Sequence, residues 1–185
     1  MLIRHADPAT DGPACAGIYA PSVDDGVASF EAVAPTAVEM SERIARVGSR
    51  YPWLVAVEGD DVLGYAYATE HRARAAYRWA ADTAVYVSAQ AQGRGVGRAL
   101  YGALLPLLAR QGLYVAVAGI TLPNEASVGL HERMGFELVG HYRDIGFKRG
   151  AWRTVGWWQA RLREPVAGQT PAEPGPPARL DDAVA

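Results

Sequence analysis

The sequence predicts a mixed α/β domain built around one sheet. Two observations carry this. Short runs rich in β-branched and aromatic residues (Trp53–Glu58, Val62–Glu70, Thr83–Ser88) alternate with segments of helical period. Half of the 185 residues are hydrophobic and 21% are charged, so a single folded core can offset chain entropy.

Taken in order, Leu2–His5 reads as a brief first strand. Asp7-Pro8 then reads as a cap with proline at the first helical position, starting a helix toward Tyr19, with a loop from Ser22 to Ser29. Thr36-Ala37-Val38-Glu39 has the spacing of a capping box, and Met40, Ile44 and Val47 recur on one face of the helix it opens. Trp53–Glu58 and Val62–Glu70 flank Gly59-Asp60-Asp61 as a hairpin. Thr83–Ser88 is the next strand. From Gly95 a helix carries Leu100, Leu104, Leu107 and Leu108 on one face and closes at Gly112. Pro106 inside it removes one backbone bond, at a cost of about 3 kcal/mol or a kink. Leu113–Ile120 is a buried strand, Asn124–Met134 a short helix, and Glu137–Phe147 and Ala151–Leu162 a final strand pair. The domain spans 1–163. Residues 164–185, rich in proline and alanine and poor in aromatics, read as a disordered tail.

Composition excludes several functions. Eighteen basic and 20 acidic residues give a net charge of −2, which offers no footprint for nucleic acid. The sole cysteine, Cys15, cannot form an internal disulfide, and His5, His71, His131 and His141 lack metal-ligand spacing, so no metal is expected. The opening residues lack a signal-peptide apolar run, and no stretch reaches the roughly 18 apolar residues of a membrane span. A cytoplasmic protein without membrane partners is expected.

The informative segment is Val85-Tyr86-Val87-Ser88-Ala89-Gln90-Ala91-Gln92-Gly93-Arg94-Gly95-Val96-Gly97-Arg98, a strand, a glycine-dense turn and an amphipathic helix. Glycines there admit positive φ and close approach, and amides at a helix start hold anions, although such turns also carry glycine for geometry alone. A dinucleotide fingerprint fails, because Arg98 stands where its third glycine is needed. A P-loop fails for want of Gly-Lys-Ser/Thr.

Gln92-x-x-Gly95-x-Gly97 resembles the pyrophosphate loop of the GNAT superfamily of acetyl-CoA-dependent N-acetyltransferases. Arg50–Ala56, Thr83–Ser88, Leu122-Pro123-Asn124, Leu130-His131-Glu132, Met134-Gly135-Phe136 and Gly146–Gly150 followed by Trp152 are similar to its phosphinothricin and methionine sulfoximine acetyltransferase branch. The likeness runs from Ile3 to Leu162.

The resemblance implies a central, mixed but mostly antiparallel, twisted sheet of about seven strands flanked by about four helices. It also implies acetyl-CoA as cosubstrate, no metal, a small amine substrate and a homodimer. Val85, Tyr86 and Val87 would pair with the pantetheine arm. Gln92, Gly93, Arg94, Gly95, Val96, Gly97 and Arg98 would cradle the pyrophosphate, and Asn124 would bond the pantetheine or simply cap its helix. Asp82 stands where the family has a glutamate and would deprotonate the amine, directly or through water. His131 takes the place that many superfamily members give a tyrosine, to donate to the departing thiolate or to help deprotonate the amine. An amide near Val87 would stabilise the oxyanion. Phe30, Arg72, Arg74 and Tyr77 match substrate-side positions, where an arginine fork suits a carboxylate or phosphinate. Direct transfer is expected, with Cys15 an unsuitable acyl carrier. Two alternatives stay open: acetylation of another small amine or a protein N-terminus, and a non-catalytic acyl-CoA-binding module.

Overall fold

The computed structural model describes residues 1–180; the part of the tail expectation that falls on 181–185 lies outside the described residues. Among the described residues the chain forms β1 (Leu2–His5), α1 (Gly12–Asp24), α2 (Ala37–Gly48), β2 (Trp53–Glu58), β3 (Asp61–Glu70), β4 (Ala80–Val87), α3 (Val96–Gln111), β5 (Val115–Thr121), α4 (Glu125–Arg133), β6 (Glu137–Lys148) and β7 (Ala151–Arg161). The seven strands form one sheet in the order β1-β2-β3-β4-β5-β7-β6. All neighbours pair antiparallel except β4 and β5. The expected mixed, mostly antiparallel sheet with four flanking helices is the one observed.

The sheet is covered on both faces, and β2 shows why its sequence is apolar throughout. Leu54 and Ala56 enter the core under α3, whereas Trp53, Val55 and Val57 enter a second core with Cys15, Tyr19, Met40 and Ile44 of α1 and α2. A strand buried on two sides has no polar face to show. The α2 capping box forms as read, with Thr36 Oγ1 accepting from Glu39 N at 3.2 Å and the Glu39 carboxylate accepting from Thr36 N at 2.7 Å. Gly112 ends α3 in the left-handed region at φ 103°, and Pro106 is carried inside an uninterrupted helix.

The first helix differs from its sequence reading. It begins at Gly12 rather than at Pro8 and runs to Asp24, so Ser22–Asp24 are helical rather than loop. The reason is long-range. Asp7 builds a turn, its carboxylate accepting from Ala9 N (2.9 Å) and its carbonyl from Asp11 N (2.9 Å). The Asp11 carboxylate is then gripped by the Arg4 fork from β1 (2.6 and 2.8 Å) and by Asp7 N (2.7 Å). Burial alone would raise the Asp11 carboxyl, but these three donors together outweigh it and hold the group below its ordinary value.

Beyond the last strand the chain folds back over one end of the sheet. Trp79 Nε1 donates to Ala172 O (2.8 Å), Arg78 pairs with Glu173 (2.6 Å), and Gly175 N donates to Gln111 O (2.7 Å). Arg110 donates to Arg179 O, while Ala178 and Leu180 pack against the core.

Replacing Asp11 by alanine should lower unfolding stability by about 2 kcal/mol, the scale of hydrogen bonds to a charged group. Urea unfolding followed by circular dichroism reads this; an unchanged midpoint would show that the Arg4–Asp11 fork contributes nothing net.

Candidate active site

The parallel pair β4–β5 is joined at only three rungs, Ala80–Asp82 against Val115–Val117. Past Asp82 each strand follows its other neighbour: β4 stays with β3 through Val87, and β5 stays with β7 through Thr121. The strands therefore part and leave a cavity of about 310 Å³. Its walls are Thr83–Val87 of β4 and Gly119–Thr121 of β5, with Asn124, Ser127 and His131 on one side of the sheet and Ile18, Ser22 and Ala28 on the other. Val85, Tyr86 and Val87, expected to present their backbone, line it. A larger hollow of about 1090 Å³ lies between β1, α2 and the segment near Leu180, and it contains none of the sequence-predicted site residues.

At one end of the cavity sits the glycine turn. Gly93 and Gly95 have φ of 74° and 81°, and a Cβ at either would meet no atom within 4 Å. Their glycine requirement is thus conformational, and the space above them is open. Gly95 is the N-cap of α3, and the ladder begins with Ala99 N donating to Gly95 O, so the amides of Val96, Gly97 and Arg98 precede it. Gly97 serves packing: a Cβ there would lie 2.9 Å from Leu130 of α4. Gln92 lines the cavity and Arg98 is exposed, whereas Arg94 turns back to Glu58 at 2.8 Å. Asn124 lines the cavity and also caps α4, accepting from Ser127 N at 3.1 Å.

Asp82 and His131 stand near the point where the strands part, on opposite faces of the sheet. The alternation of β4 sends Thr83 toward α3 and α4 and Asp82 the other way. Asp82 Oδ1 accepts from His71 Nδ1 at 2.6 Å. Burial raises the Asp82 carboxyl above its ordinary value, opposed by the His71 hydrogen bond and by the charges of His71 and Arg72.

His131 is buried at 4% exposure, with both ring nitrogens engaged. Nδ1 lies 2.7 Å from Ser127 O, which can only accept, so Nδ1 carries the proton and Nε2 accepts from Tyr101 OH at 2.9 Å. The Tyr101 hydroxyl also lies 3.5 Å from Thr83 Oγ1, which in turn donates to Val117 O. Burial lowers the His131 pKa, with the Ser127 carbonyl opposing. The imidazole at neutral pH is an uncharged member of a hydrogen-bonded chain.

Of the substrate-side residues, Arg72 lies over the Tyr77 ring at 5.8 Å, and Arg74 and Tyr77 are exposed beside it. Phe30 covers Gly146 of β6, where a Cβ would come within 2.1 Å of the ring. Its loop is fixed from both sides. Lys148 Nζ donates to Ser29 O and Glu31 O, both at 2.8 Å, while Arg43 grips Glu31 at 2.6 and 2.7 Å. His71, Tyr101, Ser127 and Thr83 escaped sequence reasoning: His71, Tyr101 and Thr83 each gain their place from a partner on another element, and Ser127 serves through its backbone carbonyl, which no residue type announces.

A histidine whose pKa is lowered by folding is neutral in the native state while the unfolded chain binds a proton below about pH 6.5. Its stabilising contribution is therefore present above that pH and is lost as pH falls toward the folded value. The stability gap between the wild-type protein and His131→Gln should narrow from pH 7.5 to 5.5 in urea titrations; a gap independent of pH would contradict a neutral buried His131.

Comparison with known proteins agrees with this geometry. The acetyltransferase (GNAT) domain family model matches residues 18–157. Phosphinothricin N-acetyltransferase of Streptomyces viridochromogenes is 39% identical over 85% of this chain and 86% of its own. The L-methionine sulfoximine/L-methionine sulfone acetyltransferase of Pseudomonas paraeruginosa is 36% identical over 86% of this chain and 94% of its own. Among solved structures, a GNAT superfamily phosphinothricin acetyltransferase from Sinorhizobium meliloti, in complex with AcCoA, superposes with a TM-score of 0.86 at 36% identity, covering 93% of each chain. With the parted strands and the glycine turn at their mouth, these matches show that the chain belongs to the GNAT acetyltransferase family.

Proposed function

We propose that the protein is an acetyl-CoA-dependent N-acetyltransferase acting by direct transfer on the free amine of small amino-acid-like substrates of the phosphinothricin or methionine sulfoximine type. The observation that carries this reading is the opening between β4 and β5, with the first amides of α3 at one end and a half-buried carboxylate where the strands part. When bound there, acetyl-CoA supplies an activated acetyl thioester.

The chain's own groups meet the demands of that chemistry in turn. Thr83–Val87 present a strand edge to an extended, amide-bearing arm, in the manner of an added strand. Gly93 and Gly95 bring the backbone close to a diphosphate, and the amides opening α3 favour its charge. Gln92 and Arg98 flank that position, and Asn124 faces the arm. An amide near Val87 donates to the carbonyl oxygen as charge develops on it. Asp82 is the carboxylate on which removal of the amine proton depends. His131 lines the cavity from the α4 side with Nδ1–H held by Ser127 O and Nε2 by Tyr101 OH, so a proton passes from it to the departing sulfur only when one of these bonds opens.

On the acceptor side, Arg72 and Arg74 hold the substrate's carboxylate or phosphinate and Phe30 and Tyr77 bound its side chain. Cys15 is fully buried, with its thiol pushed up to about 12 chiefly by burial, which speaks against an acyl-cysteine route. We further place the enzyme in the cytoplasm as a homodimer. The β6–β7 hairpin supports the second point, since Leu138, Val139, Ile145, Phe147 and Trp152 are each at least half exposed, an apolar surface that a second copy would cover.

Calorimetry should detect acetyl-CoA binding, and Gly95→Val should weaken it by roughly tenfold or more, because a β-branched residue resists the left-handed conformation. Failure of the wild-type protein to bind would sink the reading. Asp82→Asn should lower kcat on phosphinothricin or methionine sulfoximine by about 10²- to 10⁴-fold with coenzyme A affinity retained. Turnover of peptides alone in a thiol-release screen would reassign the acceptor.

A further inference from the structure

We propose that Asp82 and His71 act as one proton-accepting pair, in which Nε2 of His71 is the atom that takes the proton of the acceptor ammonium and Asp82 orients the ring. This rests on the reading of Asp82 given above.

The geometry is specific. Nδ1 of His71 is committed to Asp82 Oδ1 at 2.6 Å, so the carboxylate fixes the tautomer and leaves the lone pair on Nε2. That nitrogen makes no hydrogen bond among the described residues, while the side chain retains 15% exposure. The ring is held edge-on between Tyr77 (5.7 Å, 73°) and Trp157 (6.4 Å, 77°). Trp157 stands over Gly119 on the cavity wall, at 3.2 Å from where a Cβ would sit, and its buried Nε1 has no partner among the described residues. Asp82 itself occupies the last rung before the strands part.

Chemistry favours the imidazole as the seat of the proton. Against an ammonium, a base is most effective when its own affinity lies near the working pH, and in model compounds imidazole exceeds a carboxylate by roughly 2 to 3 pH units. In the step, one N–H bond of the ammonium breaks and one N–H bond forms on Nε2, directly or across a water. The released electron pair remains on the amine nitrogen as the attacking lone pair, and the pair ends as carboxylate and imidazolium. The groups facing it are Arg72, whose charge acts on Asp82, the Tyr77 phenol, and the partly buried Tyr67, whose hydroxyl desolvation keeps un-ionised. Asp82 offsets Arg72, so imidazolium forms beside a compensating negative charge.

His71→Asn tests this, since its amide can still donate to Asp82 but cannot accept the proton. At saturating substrates kcat should fall by about 10- to 100-fold with coenzyme A affinity unchanged, and the acid limb of kcat should move to lower pH. Nitrogen-15 NMR of the wild-type imidazoles should show His71 Nε2 protonating across the same range as the wild-type limb, a readout independent of whether the variant folds. A variant with wild-type kcat and limb, or a limb that does not track the His71 signal, overturns the pair while leaving Asp82 in place. Full turnover by Asp82→Asn instead overturns the parent reading.

Discussion

The site depends on a parallel strand pair that is abandoned after three rungs. Had β4 and β5 stayed together, their backbone groups would satisfy one another and the sheet would be closed. Because β3 and β7 hold the outer edges through Val87 and Thr121, the two halves of the sheet are each secure while the seam between them opens. Buried backbone groups along a seam need partners, and an extended ligand carrying amides can provide them. Affinity for a pantetheine-like arm is thus the counterpart of an unfinished sheet. The α3 helix start beside the seam adds charge recognition at one end.

The same seam separates two kinds of chemistry. Period-two alternation along β4 sends Thr83 to the α3–α4 face, where Tyr101 and His131 lie, and Asp82 to the α1–α2 face with His71. One face is closed: every nitrogen of His131 is bound, and burial keeps the ring neutral. The other retains an imidazole nitrogen and an indole N–H that have no hydrogen-bond partner among the described residues. In the proposed reaction the proton of the entering cation leaves on the Asp82 side, while on the other side His131 can serve the leaving sulfur only by opening one of its two bonds, so neither group neutralises the other.

Much of this architecture was legible in the sequence because it is local. The capping box at Thr36–Glu39, the hairpin around Gly59 and the glycines at 93, 95 and 112 each fix their own backbone through nearby atoms, and the family motifs sit on these segments. What escaped reading depends on remote partners. The start of α1 is set by Arg4, a residue of β1, which draws the Asp11 carboxylate into an ion pair and leaves Asp7 to form a preceding turn. His71 lies just beyond β3 and meets Asp82 only through the β3–β4 register, with no spacing pattern to announce it. Tyr101, next to Leu100 on α3, has no marker of its own in the sequence and gains its partner only when α4 brings His131 to its hydroxyl.

The loop bearing Phe30 and the Asp82–His71 pair are held in place by different parts of the molecule. The loop bearing Phe30 and Glu31 is positioned by groups far apart in the chain: Tyr19, whose hydroxyl meets Ser29 at 2.6 Å and Glu31 at 2.9 Å, Arg43 from α2, and Lys148, the only lysine, from β6. None of these touches the rungs that hold Asp82. Changes in the loop can therefore be absorbed while the strand carrying the Asp82 carboxylate keeps its register. The Asp82–His71 pair is anchored by sheet geometry and by Trp157, but Tyr77 touches the His71 ring and the charge of Arg72 acts on Asp82. In the proposed enzyme the Phe30 loop can therefore vary without disturbing the base, whereas a change at Arg72 or Tyr77 alters acceptor contacts and proton chemistry together.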